Sequence, residues 1–433
     1  MARPPTGAER VVQEQEQDES VAPAKFLGWG LVIAACILAI SCFDSRTHAR
    51  VFVACTALAA IAYLRTMWLL SRFAGGSNRG LALCLVLAAA WRVPLLLSPP
   101  TLSTDVYRYV WDGRIQRLGY DPYLVVPSNS TVRHLHTAET LLMNHPDFPT
   151  PYPAVAELFF RVVAMVDDSA RAMKSAAFLC DVALVAVLLW WLSASHRSRW
   201  WVLAYAWNPL VALEGAGNGH VDLLGALGLV LTAALLARGR RTASAVAFAL
   251  AIGVKFLPVP LAPLFWGRIR LRDAALGVGI LAALYIPFLG HGQLPLGSLG
   301  GYLVRWRVNA PVYMALEWLF PTKGLVGVPI ALGFAVALWT RWHLPLDSPE
   351  AWAWPLATTL LFAPTIFPWY LVWVTPFLFT PRTLPLAVWT VSSLAVYWPL
   401  PVWATMVIEY GPVLGVAGWM WAQSVSARRA IST

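Results

Sequence analysis

Thr104-Asp105-Val106-Tyr107-Arg108-Tyr109-Val110-Trp111-Asp112-Gly113-Arg114-Ile115-Gln116-Arg117-Leu118-Gly119-Tyr120-Asp121-Pro122-Tyr123 is the longest motif-like polar stretch in an otherwise apolar chain. Ser103 or Thr104 suits a helix N-cap, and Gly119 followed by Pro122 suits a stop, so the stretch reads as one helix. Asp105, Arg108, Asp112 and Gln116 fall at steps of three, four and four and share a face, while Tyr107, Trp111, Ile115 and Leu118 share another. A helix of that kind is expected in a membrane interface, aromatic side in lipid and charged side toward water. The plainer alternative is a linker helix with solvated charges.

The rest of the chain fits a membrane setting. Of 433 residues, 58% are apolar and only 12% charged, against about 25% charged in soluble proteins. The mean hydropathy is +0.61. These values imply an all-α, polytopic transmembrane helical bundle. The net charge of +10 does not point to nucleic acid, because the arginines sit in short clusters between apolar runs, the positive-inside pattern. Cys36, Cys42, Cys55, Cys84 and Cys180 lie in or beside those runs without CxxC spacing. They read as small apolar side chains and not as a disulfide framework or a metal site. The 23 Trp suit interfacial belts.

Residues 1–24 are polar and are expected to form a disordered cytoplasmic tail ahead of a single transmembrane domain, 25–433. With no basic region directly before the first apolar run, no cleaved signal peptide is expected. Twelve spans are expected, at about 25–43, 51–70, 79–98, 172–194, 199–213, 221–237, 273–290, 324–341, 351–366, 370–380, 383–400 and 402–422. The segment 242–266 is interrupted by Gly253, Lys255, Pro258, Pro260 and Pro263. A single straight span there would put Arg268, Arg270 and Arg272 on the wrong side. A re-entrant or broken hairpin with Lys255 near its tip is expected, with a Pro-kinked span as the alternative. Both termini then lie in the cytoplasm. The loop 99–171 lies outside, with a Pro-rich connection (Pro146, Pro149, Pro151, Pro153) and a surface-lying amphipathic piece, Val155–Val166.

This topology gathers four polar sets on the outer face: Asp105 with Arg108, Asp112 and Arg114; His220 with Asp222; Arg305 with Arg307 and Asn309; and Trp369 with Tyr370. Lys255 approaches them from within the bilayer, where ionisable groups are costly and usually functional. Acids, cations and aromatics at a lipid–water boundary suit attack by a hydroxyl on a sugar carried by a lipid phosphate. One carboxylate takes the hydroxyl proton, and cations receive the departing phosphate. The phosphate leaves as a stable anion, so the second carboxylate of a glycosidase is not required. His134, His136 and His145 do not have metal-site spacing.

The same residues carry a resemblance. Asp105–Gln116 with Gly119-Tyr-Asp-Pro-Tyr123 resembles the first-loop motif of GT-C-type bacterial mannosyltransferases that use polyprenyl-phosphate sugars, in the neighbourhood of glycosyltransferase family 87. Pro151-Tyr-Pro, Gly217-Asn-Gly-His220-Val-Asp222, Lys255-Phe-Leu-Pro, Arg305-Trp-Arg-Val-Asn309 and Pro368-Trp-Tyr370 resemble later blocks in the same order, over about 100–380. The resemblance implies a hexosyltransferase of the bacterial cytoplasmic membrane with an extracytoplasmic site. It would move a hexose, mannose by analogy, from a polyprenyl-phosphate donor to a glycolipid or glycan hydroxyl with inversion. Asp105 matches the catalytic base. Arg108, Asp112, Arg114, His220, Asp222, Lys255, Arg305, Arg307, Asn309, Trp369 and Tyr370 are the candidate substrate-binding residues. Many relatives carry a doubled acid where this chain has Thr104-Asp105, which weakens the case for a divalent cation without removing it. The expected partners are the donor, the acceptor and membrane lipids, with no nucleic acid. Two rival readings are a transporter or flippase of polyprenyl-linked sugars, which needs a broken helix and a midplane cation, and an inactive scaffold in envelope glycan assembly.

Overall fold

The computed structural model describes residues 7–45, 47–73, 75–290, 292, 294–320 and 323–432. It is helical, and the one β-like contact among the described residues is a parallel bridge between Val308 and Thr365. The helices are α1 (Gly7–Cys42), α2 (Ala49–Arg72), α3 (Asn78–Leu97), α4 (Asp105–Arg117), α5 (Ala154–Val166), α6 (Ala170–Ala194), α7 (Leu203–Ala206), α8 (Pro209–Ala212), α9 (Asp222–Ala237), α10 (Arg241–Val254), α11 (Leu271–Tyr285), α12 (Leu299–Arg305), α13 (Pro311–Leu319), α14 (Val328–His343), α15 (Glu350–Leu361), α16 (Leu384–Ser392) and α17 (Val402–Ser432). Among the described residues, six segments are long and apolar enough to cross a membrane: Ala24–Cys42, Ala49–Arg72, Asn78–Leu97, Ala170–Ala194, Leu271–Phe288 and Gly324–His343. The protein is therefore a helical membrane protein.

The expected count of twelve spans is not reproduced. Residues 199–213 form a short 3-10 turn, α7 and α8, broken where Asn208 accepts a hydrogen bond from Leu210 N and Pro209 opens a new helix. The run 370–380 lies in short 3-10 turns at Pro368–Trp373 and Thr375–Phe377. Runs 351–366 and 383–400 give only α15, and α16 with a further 3-10 turn. Leu371, Val372, Trp373, Phe377 and Leu378 are all buried. An apolar run of this length has the same pattern whether it lies in lipid or in a protein core. At the N-terminus the apolar span starts at Ala24, as expected, and α1 extends from it back to Gly7 through the residues expected to be a disordered tail. The Gln and Glu residues between 13 and 19 are polar, but they are also good helix formers.

Basic clusters collect at one end of the bundle. Arg199 donates to Asn78 Oδ1 at 2.8 Å, Arg268 to the Arg341 carbonyl at 3.2 Å, and Arg341 to the Trp266 carbonyl at 2.9 Å. At this same end Thr242 Oγ1 donates to Asp273 Oδ1 at 2.6 Å, tying the start of α10 to the start of α11. Those two helices therefore run parallel. The chain between them must travel back, and it does so after Lys255, through a Pro-rich 3-10 segment, Val259–Phe265. The interruption expected at Lys255 is a turn-back of the chain.

At the opposite end, α3 hands over to α4. Here the expected interfacial helix is corrected: from Val106 to Gly113 α4 is buried on every side, and only its end, at Arg117 and Leu118, is exposed. Tyr107, Trp111 and Ile115 do not face lipid, and Arg108, Asp112 and Gln116 do not face water. The segment 118–153 and α5 cover it. α5 is amphipathic, as the sequence suggests, with Val162, Met165 and Val166 exposed and Glu157 and Phe160 turned inward. The two helices meet at Gly113, where a Cβ would run into the Phe160 carbonyl.

The buried charged groups of α4 are paired, as burial requires, while Trp111 Nε1 and Gln116 Oε1 are buried without a hydrogen-bond partner. Arg108 Nε donates to both Asp112 oxygens, at 3.0 and 3.1 Å, and Nη2 donates to the Phe148 carbonyl at 2.9 Å. Gln116 Nε2 donates to Glu157 Oε2 at 2.7 Å, and Thr150 Oγ1 donates to Glu157 Oε1 at 2.6 Å. Burial first, and the Asp112 carboxylate second, push Glu157 well above the usual glutamate range.

Arg108→Met leaves Asp112 buried without its cation and is expected to destabilise the fold by about 3–5 kcal/mol. Gly113→Val forces α4 and α5 apart at a cost of about 1–3 kcal/mol. Thermal unfolding in detergent should show both variants melting below wild type, Arg108→Met the lower. Two melting curves that overlay the wild-type curve would contradict this account of the α4–α5 contact.

Candidate active site

The end of the bundle away from the arginine clusters encloses a cavity of about 800 Å³. Asp105 opens into it from the first turn of α4. Its backbone N–H donates to Ser103 Oγ at 3.2 Å, which fixes the start of the helix. Asn144 Nδ2 donates to Asp105 Oδ1 at 2.8 Å. Burial raises the Asp105 carboxyl above the ordinary aspartate range. The Asn144 hydrogen bond and the Lys255 charge oppose that rise, and Asp222 adds to it.

Lys255 enters from the break after α10, where the chain becomes extended. Its ammonium lies 2.8 and 2.9 Å from the two Asp222 oxygens and 4.4 Å from the centre of the Tyr370 ring. Asp222 is fully buried and also accepts from Trp373 Nε1 at 2.6 Å. Asp222 does not line the cavity and acts by holding Lys255 there. Arg305 is the second cation. It stands exposed on the last turn of α12, lines the cavity, and has no ion-pair or hydrogen-bond partner among the described residues. The α12 helix is tied over the cavity by Tyr302, whose hydroxyl lies 2.5 Å from that of Tyr370, and by Ser298 Oγ, which donates to the Pro149 carbonyl at 2.8 Å.

Trp369 lines the cavity but is placed differently from a sugar platform. His220 stacks on it at 4.2 Å and Phe367 at 4.3 Å, both nearly parallel. Two rings that close to one indole centre would overlap if they shared a face, so they occupy opposite faces. Trp369 therefore offers an edge. His220 is fully buried behind it, with Nδ1 3.3 Å from the Tyr109 hydroxyl. Its Nε2 lies 3.3 Å from Glu214 Oε2 without hydrogen-bond geometry. Burial, then the Lys255 charge, lowers the imidazole well below its usual value, so it stands neutral.

Four other candidates are bound elsewhere. Asp112 is committed to Arg108. Arg114 donates to the Leu135 carbonyl at 2.8 Å and pairs with Asp168, outside the cavity. Arg307 pairs with Glu317 at 2.7 Å. Asn309, at φ +49°, donates to Glu409 Oε2 at 2.6 Å. Arg108 touches the cavity with Nε engaged by Asp112 and Nη2 by the Phe148 carbonyl. The chain's block 305–309 thus contributes Arg305 and Trp306 as its polar and aromatic wall, while Val308 bridges to Thr365.

Asn144, His145 and Tyr302 are cavity residues that sequence reasoning does not single out for a site. Asn144 lies 39 residues from Asp105 in a proline-rich connection, with no local pattern to mark it. Glu214 is also unmarked. It sits in a π-helical turn, Leu213–Gly217, accepts from Tyr397 OH at 2.6 Å and from Asn218 Nδ2 at 3.0 Å, and burial pushes its carboxyl up to about 7. Asn218 Oδ1 in turn accepts from Leu102 N at 3.3 Å, on the approach to Asp105. Among the described residues, no three His, Cys, Asp or Glu side chains converge as metal ligands. The one carboxylate open to the cavity is held by an amide and faces a lysine, so this donor set does not make a resident cation site.

A family model described as alpha-(1->6)-mannopyranosyltransferase, N-terminal domain (the MptA_B family) matches residues 26–269. Alpha-(1->6)-mannopyranosyltransferase A of Mycobacterium tuberculosis is 28% identical over 329 residues, covering 65% of this chain and 62% of its own length. A second alpha-(1->6)-mannopyranosyltransferase of that organism is 32% identical over 152 residues, 33% of this chain and 25% of the relative. A probable alpha-(1->6)-mannopyranosyltransferase of Mycolicibacterium smegmatis is 25% identical over 381 residues, 69% and 64% of the two chains. The chain thus spans less than two thirds of the length of each of these relatives. No solved structure matches it. With more than half of its residues inside the family model, the site segments from Asp105 to Lys255 among them, the chain belongs to the MptA_B family of alpha-(1->6)-mannopyranosyltransferases.

Proposed function

We propose that this protein is a mannosyltransferase that moves one mannosyl unit from a polyprenyl-phosphate donor to a hydroxyl of a glycolipid or glycan. The reaction would take place on the extracytoplasmic side of the bacterial cytoplasmic membrane. The observation that carries the reading is a single open carboxylate, Asp105, sharing a cavity with Lys255 and with the unpaired guanidinium of Arg305. Asp105 accepts the proton of the acceptor hydroxyl. That oxygen attacks the anomeric carbon, the carbon–phosphate-oxygen bond breaks, and the polyprenyl phosphate leaves as an anion toward Lys255 and Arg305. One displacement inverts the anomeric centre, so an α-linked product, such as the relatives' names describe, calls for a β-linked donor.

Two further features support a lipid-borne donor. Leu303, Val326, Pro329 and Ile330 line one limb of the cavity, on α12 and on the spanning segment that contains α14. Leu303 and Ile330 are solvent-accessible apolar side chains, which suits a cavity that receives a lipid chain. The basic clusters stand at the far end of the bundle, as the positive-inside rule asks of the cytoplasmic side. Phe26 of α1 packs against Phe73 and Trp200 at that end, which favours a cytoplasmic N-terminus. A transporter would hold its polar groups near the midplane between paired broken helices. Here they gather at one end, beside one broken helix.

Purified protein supplied with radiolabelled polyprenyl-phosphate mannose and a membrane lipid extract is expected to form a labelled mannolipid or mannan. Asp105→Asn should lower kcat by roughly 10²- to 10⁴-fold while leaving the melting temperature unchanged. Transfer retained in Asp105→Asn would remove the base assignment, and label crossing the bilayer without transfer would favour the flippase.

Arg305→Ala and Lys255→Met are expected to weaken donor use, seen as a lower kcat/KM for donor. In the wild type, kcat/KM should fall with acid as Asp105 becomes protonated. Since burial raises that carboxyl, the fall should lie above the pH at which an ordinary aspartate titrates. An acid limb at or below the ordinary aspartate range would contradict this assignment.

A further inference from the structure

We infer that Asn144 is the positioning residue of the base and that its aim is set from the donor-side helix α12, through Trp306 and His145. This rests on the reading of Asp105 as the base. Asn144 Nδ2 donates to Asp105 Oδ1 at 2.8 Å, which fixes the plane of the carboxylate and leaves Oδ2 as the oxygen free to take a proton. The next residue, His145, has φ +48°, a left-handed conformation that a bulky residue adopts only under constraint. Its exposed ring stands edge-to-face with Trp306 at 4.3 Å. Trp306 follows Arg305 directly at the end of α12. The path is short and continuous: Arg305 and Trp306 at the end of α12, His145 and Asn144 on the strap 143–153, and Asp105 on α4.

The strap has other ties to α12. Ser298 N donates to the Thr150 carbonyl at 3.2 Å, and Ser298 Oγ to the Pro149 carbonyl at 2.8 Å. The strap is thus held on one side to α4, α5 and the segment 122–128, and on the other to the helix that carries the free guanidinium. A phosphate drawn to Arg305 would steady α12. The same step would steady the Trp306–His145 contact and hold the Asn144 amide on Asp105. The base is oriented when the donor is in place.

The Asn144 hydrogen bond favours the ionised form of Asp105. The other groups felt at this carboxylate come from every neighbouring element: Lys255 after α10, Asp222 at the start of α9, His145 and Tyr152 on the strap, Tyr109 on α4, Glu214 in the π turn, Tyr302 on α12 and Tyr397 before α17. None of these is removed by changing Asn144. Losing its donor therefore raises the pH at which Asp105 becomes a competent base.

The test is the pH profile of kcat/KM for Asn144→Ala, measured with the full chain in nanodiscs and polyprenyl-phosphate mannose. The expected result is an acid limb displaced to higher pH and a kcat at the plateau lowered roughly 10- to 100-fold by misalignment, with donor KM close to wild type. Should Asn144→Ala not be recovered folded, Asn144→Asp serves, because a second carboxylate beside Asp105 moves the limb further in the same direction. His145→Asn tolerates the left-handed backbone but lacks the ring. It should reproduce part of the kcat loss if the Trp306 contact sets the aim. An unmoved acid limb in a folded Asn144 variant overturns the inference while leaving Asp105 as the base. Activity retained in Asp105→Asn would remove the base itself, a separate result.

Discussion

A helix carrying Asp105, Arg108, Asp112 and Gln116 is buried over most of its length, and the geometry around the cavity depends on how its charges are compensated. Asp112 and Arg108 neutralise each other within one turn. The leftover Arg108 donor reaches the Phe148 carbonyl and so fastens the strap to α4. Gln116 reaches Glu157, and Thr150 closes the other Glu157 oxygen, so α5 is fastened as well. Unpaired charges buried this deeply would cost several kcal/mol each. The pairing therefore leaves the strap little freedom, and the strap is what places Asn144 and His145 at the cavity.

A second constraint is the turn-back at Lys255. The helix ends at Val254 and the backbone at Lys255 is extended. Breaking the helix puts the ammonium at the end of the bundle where Asp222 waits. The prolines that follow cannot continue an α-helix. They return the chain to the arginine-rich end, so α11 starts beside α10. One local break thus delivers a cation to the cavity and keeps the basic clusters together.

The helical membrane fold, the break at Lys255, the amphipathic α5 and the approach of Asp105, Lys255 and Arg305 to one cavity were legible from sequence, for physical reasons. Composition reports solvent, a charged residue in an apolar run must serve or be paired, and periodicity reports a face. The misreadings have equally physical causes. Helical spacing put Tyr107, Trp111 and Ile115 on one face, but it cannot say what covers that face, and here it is protein. Apolar runs between prolines looked like spans and are core. Arg114, Arg307 and Asn309 have the right chemistry for a phosphate site, but Asp168, Glu317 and Glu409 claim them, and those partners are not set by any local pattern. Asn144 was illegible because its importance lies in a contact 39 residues away.

The proposal of Asp105 as the base rests on what the neighbouring acids are doing. Asp112 is held by Arg108, Glu157 by Thr150 and Gln116, Glu214 by Tyr397 and Asn218, and Asp222 by Lys255 and Trp373. Each of these has both oxygens occupied, and none lines the cavity. Asp105 has a single amide on one oxygen and opens into the cavity. A general base needs an oxygen that a substrate proton can reach and an affinity for that proton above that of a solvated carboxylate. Burial supplies the second condition and the shape of the cavity supplies the first. The other four carboxylates hold the helices, the strap and the lysine that keep Asp105 in this position.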